Sequence, residues 1–69
     1  MDTIERVTEL TRARNLSLYQ LARISDVPYV TLRNAKARHN QLSVDTIERI
    51  CMGLGITMSE FFSDELYAS

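Results

Sequence analysis

The sequence predicts an all-α fold: one compact domain of five short helices spanning all 69 residues. Apolar residues recur with the 3.6-residue period of a helix, and no stretch shows the strict alternation of a half-buried strand. Serine, threonine or aspartate stands before several of these apolar runs, where such side chains cap helices. Glycine and proline are scarce, with two and one in the chain, which also favours helices.

The first helix is predicted over about residues 3–14, with Asp2 as its N-cap. It should end near Asn15, because asparagine tolerates the left-handed backbone conformation that closes many helices. The residues expected to face inward are Ile4, Val7 and Leu10.

The second helix is predicted over about residues 18–25. Ser17 and Gln20 have the spacing of a capping box, in which each side chain bonds the backbone N–H of the other residue. The residues expected to face the core are Leu18, Leu21, Ala22 and Ile24.

The third helix is predicted over about residues 28–36, with Pro28 in its first turn, where the missing N–H has no cost. One side, expected to be buried, carries Pro28, Leu32 and Ala35. The opposite side carries Val30, Arg33 and Asn34, with Tyr29 on its flank. A solvent-exposed valine between two polar residues calls for a functional explanation.

The fourth helix is predicted over about residues 44–53, capped by Ser43 and ended by Gly53 and Gly55. Its periodic apolar residues are Val44, Ile47, Ile50, Cys51 and Leu54.

The fifth helix is predicted over about residues 58–65, behind a second capping box formed by Thr57 and Glu60. Its apolar residues are Met58, Phe61 and Phe62.

Helices two and three form a sharper pattern, because only about three residues join them. Apolar residues at both ends would hold the pair at a steep angle, and a small alanine permits close crossing. The residues concerned are Leu21, Ala22, Val27 and Leu32. This arrangement is a helix-turn-helix over about residues 17–36.

The net charge of −1 conceals a segregation along the chain. Residues 12–39 hold six arginines and lysines against Asp26 alone, whereas residues 1–11 and 40–69 are acidic. A basic middle between acidic ends creates a directional field that can steer a polyanion to one face.

Other classes of protein find little support. The apolar runs are too short for a membrane span or a signal peptide. The single Cys51 allows no internal disulfide, in agreement with the cytoplasm. His39 has no ligand partner at metal-site spacing, and no carboxylate has a nucleophile or a second acid at a plausible spacing. We therefore expect no enzyme, no metal, no cofactor and no small-molecule ligand.

Two segments carry a family resemblance, "NLSLYQLARISDVPYVTLRNAK" and "LSVDTIERICMGLGITMSEFF". The first aligns without gaps on the second and third helices of the lambda-repressor/Cro-type (XRE) helix-turn-helix family. The second resembles the usual tail of that family, including its Leu-Gly-Ile break and Glu-Phe-Phe. The resemblance covers about residues 4–62 and implies a five-helix lambda-repressor-like domain that binds double-stranded DNA, with helix three in the major groove.

The resemblance also implies which residues touch bases: Tyr29, Val30 and Asn34, with Arg33 beside them. Their chemistry fits, because a valine can contact the methyl group of thymine and an asparagine can pair with adenine. An arginine can take the guanine edge or a phosphate. We expect operators that lean towards A/T. The alternative for Val30 is that it covers a hydrophobic patch or a dimer contact.

Contacts to the DNA backbone are expected from residues around these: Arg12, Arg14, Ser17, Leu18, Thr31, Lys36, Arg38 and His39. Solvated arginines are an equal alternative for Arg12, Arg14 and Arg23, and Arg23 can also pair with Asp26.

The sequence departs from the family pattern at four positions. Leu18 stands where a glutamine is frequent, and Ala35 stands where a larger apolar residue is usual. Arg38 and Leu42 take the places of a glycine and a proline, and loss of the glycine predicts strain at the helix end.

A second apolar stripe of Phe62, Leu66 and Tyr67 predicts the interface of a homodimer, a mode of assembly common in the family. A dimer would place two recognition helices about 34 Å apart on a palindromic site. We expect a transcriptional regulator, a repressor acting in this way. The alternative is an antitoxin-like or anti-repressor interaction module that kept the fold without reading DNA.

Overall fold

Five helices make up the part of the chain that the computed structural model describes, residues 2–63. They are α1 (Thr3–Ala13), α2 (Leu18–Ser25), α3 (Tyr29–Arg38), α4 (Val44–Leu54) and α5 (Met58–Phe61). No strand occurs among these residues, and no helix among them is long and apolar enough to cross a membrane. The all-α prediction is confirmed.

Local capping decides where four of the helices begin. A side-chain oxygen of each N-cap residue accepts a backbone N–H of the first turn, which satisfies a donor that the helix leaves unpaired. Both predicted capping boxes are present, each with a reciprocal side-chain bond. The four predicted N-caps are thus confirmed: Asp2, Ser17, Ser43 and Thr57.

The core lies where α2 packs against both α4 and α3. Its largest fully buried side chains come from every helix: Val7, Leu21, Leu32, Ile50 and Phe61. Burial of these side chains supplies the main favourable free energy of a chain this small.

Two polar clusters connect segments that are distant in sequence. The Thr3 hydroxyl donates to Gln41 Oε1 at 2.7 Å and accepts the backbone N–H of Leu42 at 2.8 Å, which fixes the loop after α3 to the start of α1. The Arg6 guanidinium donates to the carbonyls of Phe61 and Glu60 at 2.7 and 3.0 Å, which closes α5 onto α1.

The prediction for Pro28 is wrong. It is exposed and precedes α3 as its N-cap, with a non-helical ψ of 131°, and α3 extends to Arg38. Val27, which is 6% exposed, fills the space between the two helices instead, so the proline can lie at the surface.

Gly53 does not end α4, which continues to Leu54 with Gly55 as its C-cap. A Cβ at position 53 would lie 2.6 Å from Ser25 Oγ and 2.9 Å from the Ile24 carbonyl oxygen. The glycine is therefore the point where α4 meets the end of α2, a tertiary requirement rather than a helix stop.

Two residues that were expected in the core are exposed, Ile24 and Val44, and in each case a neighbour in sequence takes the buried position. Ser25 takes the buried position at the end of α2, so Ile24 turns outward. At the start of α4, Leu42 fills the core beside α1, and Val44 remains in solvent.

The predicted strain at Arg38 lies one residue further on. Arg38 is the last helical residue, and the C-cap His39 takes the left-handed conformation with φ of 55°. Asn15, which follows the α1 C-cap Arg14, and Asp26, the C-cap of α2, have φ of 55° and 56°, so three non-glycine residues within 2–63 carry this conformation. The prediction for Asn15 is confirmed.

Candidate nucleic-acid interface

The side of α3 that faces away from the core is mostly exposed. Leu32 and Ala35 are buried, so the helical period turns the opposite residues to solvent. These residues, which we call the outer face of α3, are Val30, Arg33, Asn34 and Ala37. Val30 is 46% exposed and Asn34 is half-buried, so an apolar patch lies between hydrogen-bonding groups.

The N-terminus of α3 is open. Pro28 supplies no side-chain cap, and the first turn contains no acidic residue. The backbone N–H groups of Tyr29 and Val30 have no acceptor within residues 2–63. Unpaired N–H groups and the positive end of the helix dipole favour an anion at this end.

An aromatic contact joins α2 to α3 beside the outer face. The rings of Tyr19 and Tyr29 meet edge to face, with centroids 5.6 Å apart. The Arg33 guanidinium carbon lies 6.0 Å from the centroid of the Tyr29 ring. Tyr29 therefore contacts one residue of the outer face and one residue of α2.

A shallow cleft, which we call the α2 cleft, lies at the N-terminus of α2. Of the predicted backbone contacts, four line it together: Arg12, Ser17, Leu18 and Lys36. Ser17 Oγ accepts only the N–H of Gln20 among the first-turn donors, and the N–H groups of Leu18 and Tyr19 have no acceptor in the described part of the chain. Two cations and two open N–H groups make the cleft suitable for a phosphate.

The other four predicted backbone contacts lie elsewhere. Arg14 donates to the Leu10 carbonyl at 3.2 Å and lines a different groove, which also contains Glu60. Thr31 and Arg38 are exposed on the flank of α3 away from Lys36, and His39 caps the end of that helix. The structure therefore places four of the predicted residues in the α2 cleft and three on the far flank or at the end of α3, and it leaves Arg14 apart from both groups.

Sequence reasoning missed Ala37 and Tyr19. Ala37 lies two turns after Val30 on the outer face, and the i, i+7 spacing was a sufficient signal for it. Tyr19 has no such signal, because its contact with Tyr29 depends on how α2 crosses α3.

The predicted pairing of Arg23 with Asp26 is replaced by one from α4. Arg49 donates to the Asp26 carbonyl oxygen at 3.2 Å and to the Asp45 carboxylate at 3.1 Å, and it lies 3.9 Å from the Asp26 carboxylate. An i, i+4 partner holds the arginine where it reaches the turn, and Arg23 is left exposed in solvent. Arg49 thus attaches the turn between α2 and α3 to α4.

The predicted dimer interface is described only in part. Phe62 is 45% exposed, and its ring meets Phe61 edge to face at 5.0 Å. Leu66 and Tyr67 lie outside the described residues.

Cys51 is a core residue, as its helical position predicts. It is 4% exposed, and its Sγ lies 3.6 Å from Met58 Sδ. Burial, then the charges of Glu48 and Glu60, raise the pKa of the thiol, which keeps it protonated. Residues 2–63 contain no cluster of three or more potential metal ligands.

The comparisons with known proteins agree with this geometry. A model of the Cro/C1-type HTH DNA-binding domain matches residues 6–66, which is most of the chain. No curated protein and no solved structure gives a match. The matched family supports a role in DNA-binding transcription regulation in general. The chain therefore belongs to the Cro/C1-type helix-turn-helix family of DNA-binding domains.

Proposed function

We propose that this chain is a sequence-specific regulator that represses transcription by occupying promoter DNA as a homodimer on a palindromic operator. One observation carries the proposal: the outer face of α3 exposes a valine among hydrogen-bonding side chains, directly beside open helix N-termini and a cationic cleft. A surface of this kind matches the major groove, where apolar methyl groups alternate with hydrogen-bonding edges and phosphates run on both sides.

The base contacts are assigned to the first two turns of α3. Val30 contacts a thymine methyl group, and Asn34 forms a bidentate pair with adenine. Tyr29 and Arg33 cover the edge of the helix nearest α2. The half-buried position of Asn34 supports this role, because partial packing restricts its rotamers before DNA arrives.

The DNA backbone contacts are assigned to two places. The α2 cleft holds one phosphate through Arg12, Lys36 and the N–H of Leu18. A leucine replaces the polar side chain that is frequent there, but its backbone N–H is unaffected by the replacement. The far flank of α3 provides the second place, through Thr31, Arg38 and His39. Arg14 lines a separate groove together with Arg6, Glu9 and Glu60, and its contact with the DNA backbone stays a prediction.

The dimer is assigned to the C-terminal end of the domain. Phe62 leaves a large part of its ring in solvent, and an exposed aromatic residue next to a core phenylalanine is a natural centre for a self-complementary contact. Two copies related by a two-fold axis present two copies of α3 to half-sites about one DNA turn apart. Repression then follows from occupancy of the promoter.

Selection of bound duplexes from a random pool tests the proposal. Wild type should enrich a palindrome, and its affinity should fall linearly with salt on logarithmic axes, by about 0.9 per phosphate contacted. Lys36→Gln should reduce that slope by about 1 on every duplex. Met52→Ala, on an exposed residue of α4, is the matched control and should change neither result. Failure to enrich any sequence would overturn the proposal.

A protein-interaction module is the second candidate. Ile24 and Met52 are 49% and 82% exposed and line a groove with Asp45 and Glu48, a surface whose acidic character is unsuited to DNA. This candidate gains support if Arg33→Ala and Asn34→Ala leave DNA affinity unchanged while substitutions at Phe62 abolish the biological effect. Loss of DNA binding in the two α3 variants rejects it.

A further inference from the structure

We propose that Tyr19 is a positioning residue for base recognition, acting through Tyr29 to hold Arg33 in the orientation that reads guanine. The proposal rests on the proposed function and deepens it, because it adds one G·C position to an operator otherwise expected to lean towards A/T. Its basis is a continuous array of three side chains from two helices: Tyr19, Tyr29 and Arg33.

Each side chain of the array contacts the next one. Tyr19 places its ring against Tyr29 at an interplanar angle of 72° and a centroid separation of 5.6 Å, the favourable edge-to-face arrangement. This contact restricts the rotamers of Tyr29, which stands at the first residue of α3. Tyr29 in turn lies one helical turn before Arg33 and offers its ring to the guanidinium at 6.0 Å.

Nothing else among the described residues holds Arg33. The side chain is exposed and makes no hydrogen bond or ion pair within residues 2–63. An unrestrained arginine would lose much side-chain entropy when it binds. The aromatic contact removes part of that loss in advance, because a guanidinium against a ring keeps its N–H edge free for in-plane hydrogen bonds.

The position of Arg33 favours a base over a phosphate. It lies next to Val30 on the outer face of α3, in the N-terminal half of the helix, the part that reaches base edges in a helix-turn-helix. The cations suited to phosphate lie to the sides, with Lys36 in the α2 cleft and Arg38 at the far end. Guanine O6 and N7 together match the planar fork of arginine.

The test compares two duplexes, the selected operator and the same operator with its Arg33-dependent G·C changed to A·T. Wild type should prefer the first by about 5- to 150-fold, the range of a good bidentate pair. Arg33→Lys should reduce this preference to about 2-fold, because an ammonium lacks the planar fork. Tyr19→Ala should lower it by about 2- to 12-fold at this position only. Tyr19→Phe keeps the aromatic ring and should retain the wild-type preference.

Ile24→Ala is the matched control, since Ile24 is on the same helix and about as exposed as Tyr19, at 49% against 53%. It should leave the preference unchanged. Equal weakening of both duplexes by Tyr19→Ala would mean that the tyrosine only supports the fold. Arg33→Ala that keeps the preference at every G·C pair of the operator would mean that Arg33 does not read guanine. Either result overturns this inference while wild type still selects a sequence, whereas no selection at all overturns the proposed function itself.

Discussion

α3 and α4 have similar lengths but opposite construction. α4 begins at the Ser43 cap, carries an i, i+4 ion pair in which Arg49 Nε lies 3.1 Å from an Asp45 oxygen, and ends at Gly55. α3 begins at a proline without a side-chain cap, buries only two residues and ends at His39 in a left-handed conformation. α4 therefore contains most of the features that stabilise a helix, whereas α3 depends on its neighbours.

Under the proposed function, this difference follows from the need of α3 to bind DNA. Groups that would cap α3 or pair with its side chains would also occupy the donors that a DNA helix needs. The N–H groups of Tyr29 and Val30 have no acceptor within residues 2–63, and in the proposed complex they donate to phosphate oxygens.

The largest expected effect is on the core side of this comparison. Ile50→Ala in α4 removes a fully buried side chain and should lower the free energy of unfolding by about 2–5 kcal/mol, measured by urea denaturation. Val30→Ala in α3 is the matched control and should stay within about 0.5 kcal/mol while it weakens operator binding. Equal destabilisation by both would contradict the distinction between the helices.

A smaller effect is expected where α4 crosses α2. Gly53→Ala should destabilise by about 1–2 kcal/mol, because the added methyl group would lie 2.6 Å from Ser25 Oγ. Alanine is intrinsically more stable in a helix than glycine, which opposes this loss. The sign of the measured change in unfolding free energy therefore shows which of the two effects is larger. Ala37→Gly on the exposed face of α3 is the reference, with an expected loss of about 1 kcal/mol. A higher urea midpoint for Gly53→Ala would show that the helices separate easily.

The C-caps of α3 and α4 allow a reciprocal pair of substitutions. His39→Gly should stabilise by up to about 1 kcal/mol, since glycine adopts a φ of 55° without a steric penalty. Gly55→His should lower the free energy of unfolding by a comparable amount, because φ at this C-cap of α4 is 71°. Thermal unfolding of both variants measures the difference, and two shifts of the same sign would refute the explanation.

The smallest effect concerns the turn between α2 and α3. Arg49→Ala removes the bond to the Asp26 carbonyl oxygen and a partly exposed ion pair, so it should lower stability by about 0.5–1 kcal/mol. Arg23→Ala should have no measurable effect. A greater loss of stability in Arg23→Ala than in Arg49→Ala would support the pairing of Arg23 with Asp26 that the sequence predicted.

Features fixed by neighbouring residues were predictable from sequence, and features fixed by distant ones were not. The four side-chain caps follow from residues within one turn, so the helix starts at Asp2, Ser17, Ser43 and Thr57 were foreseen. The roles of Gly53, Arg49 and Tyr19 depend on which helix each meets in space. Val30, Arg33 and Asn34 of the outer face were foreseen because burial of Leu32 and Ala35 determines the opposite side by helical period alone, and the same period could have added Ala37.

The most direct measurement is a map of backbone amide chemical shifts in the protein, with and without the selected duplex. The largest changes should fall on Tyr29, Val30 and Asn34 and at the N-terminus of α2, with Ile24 and Met52 unaffected. Changes centred on Ile24 and Met52, with α3 unaffected, would show that this domain does not bind DNA through α3.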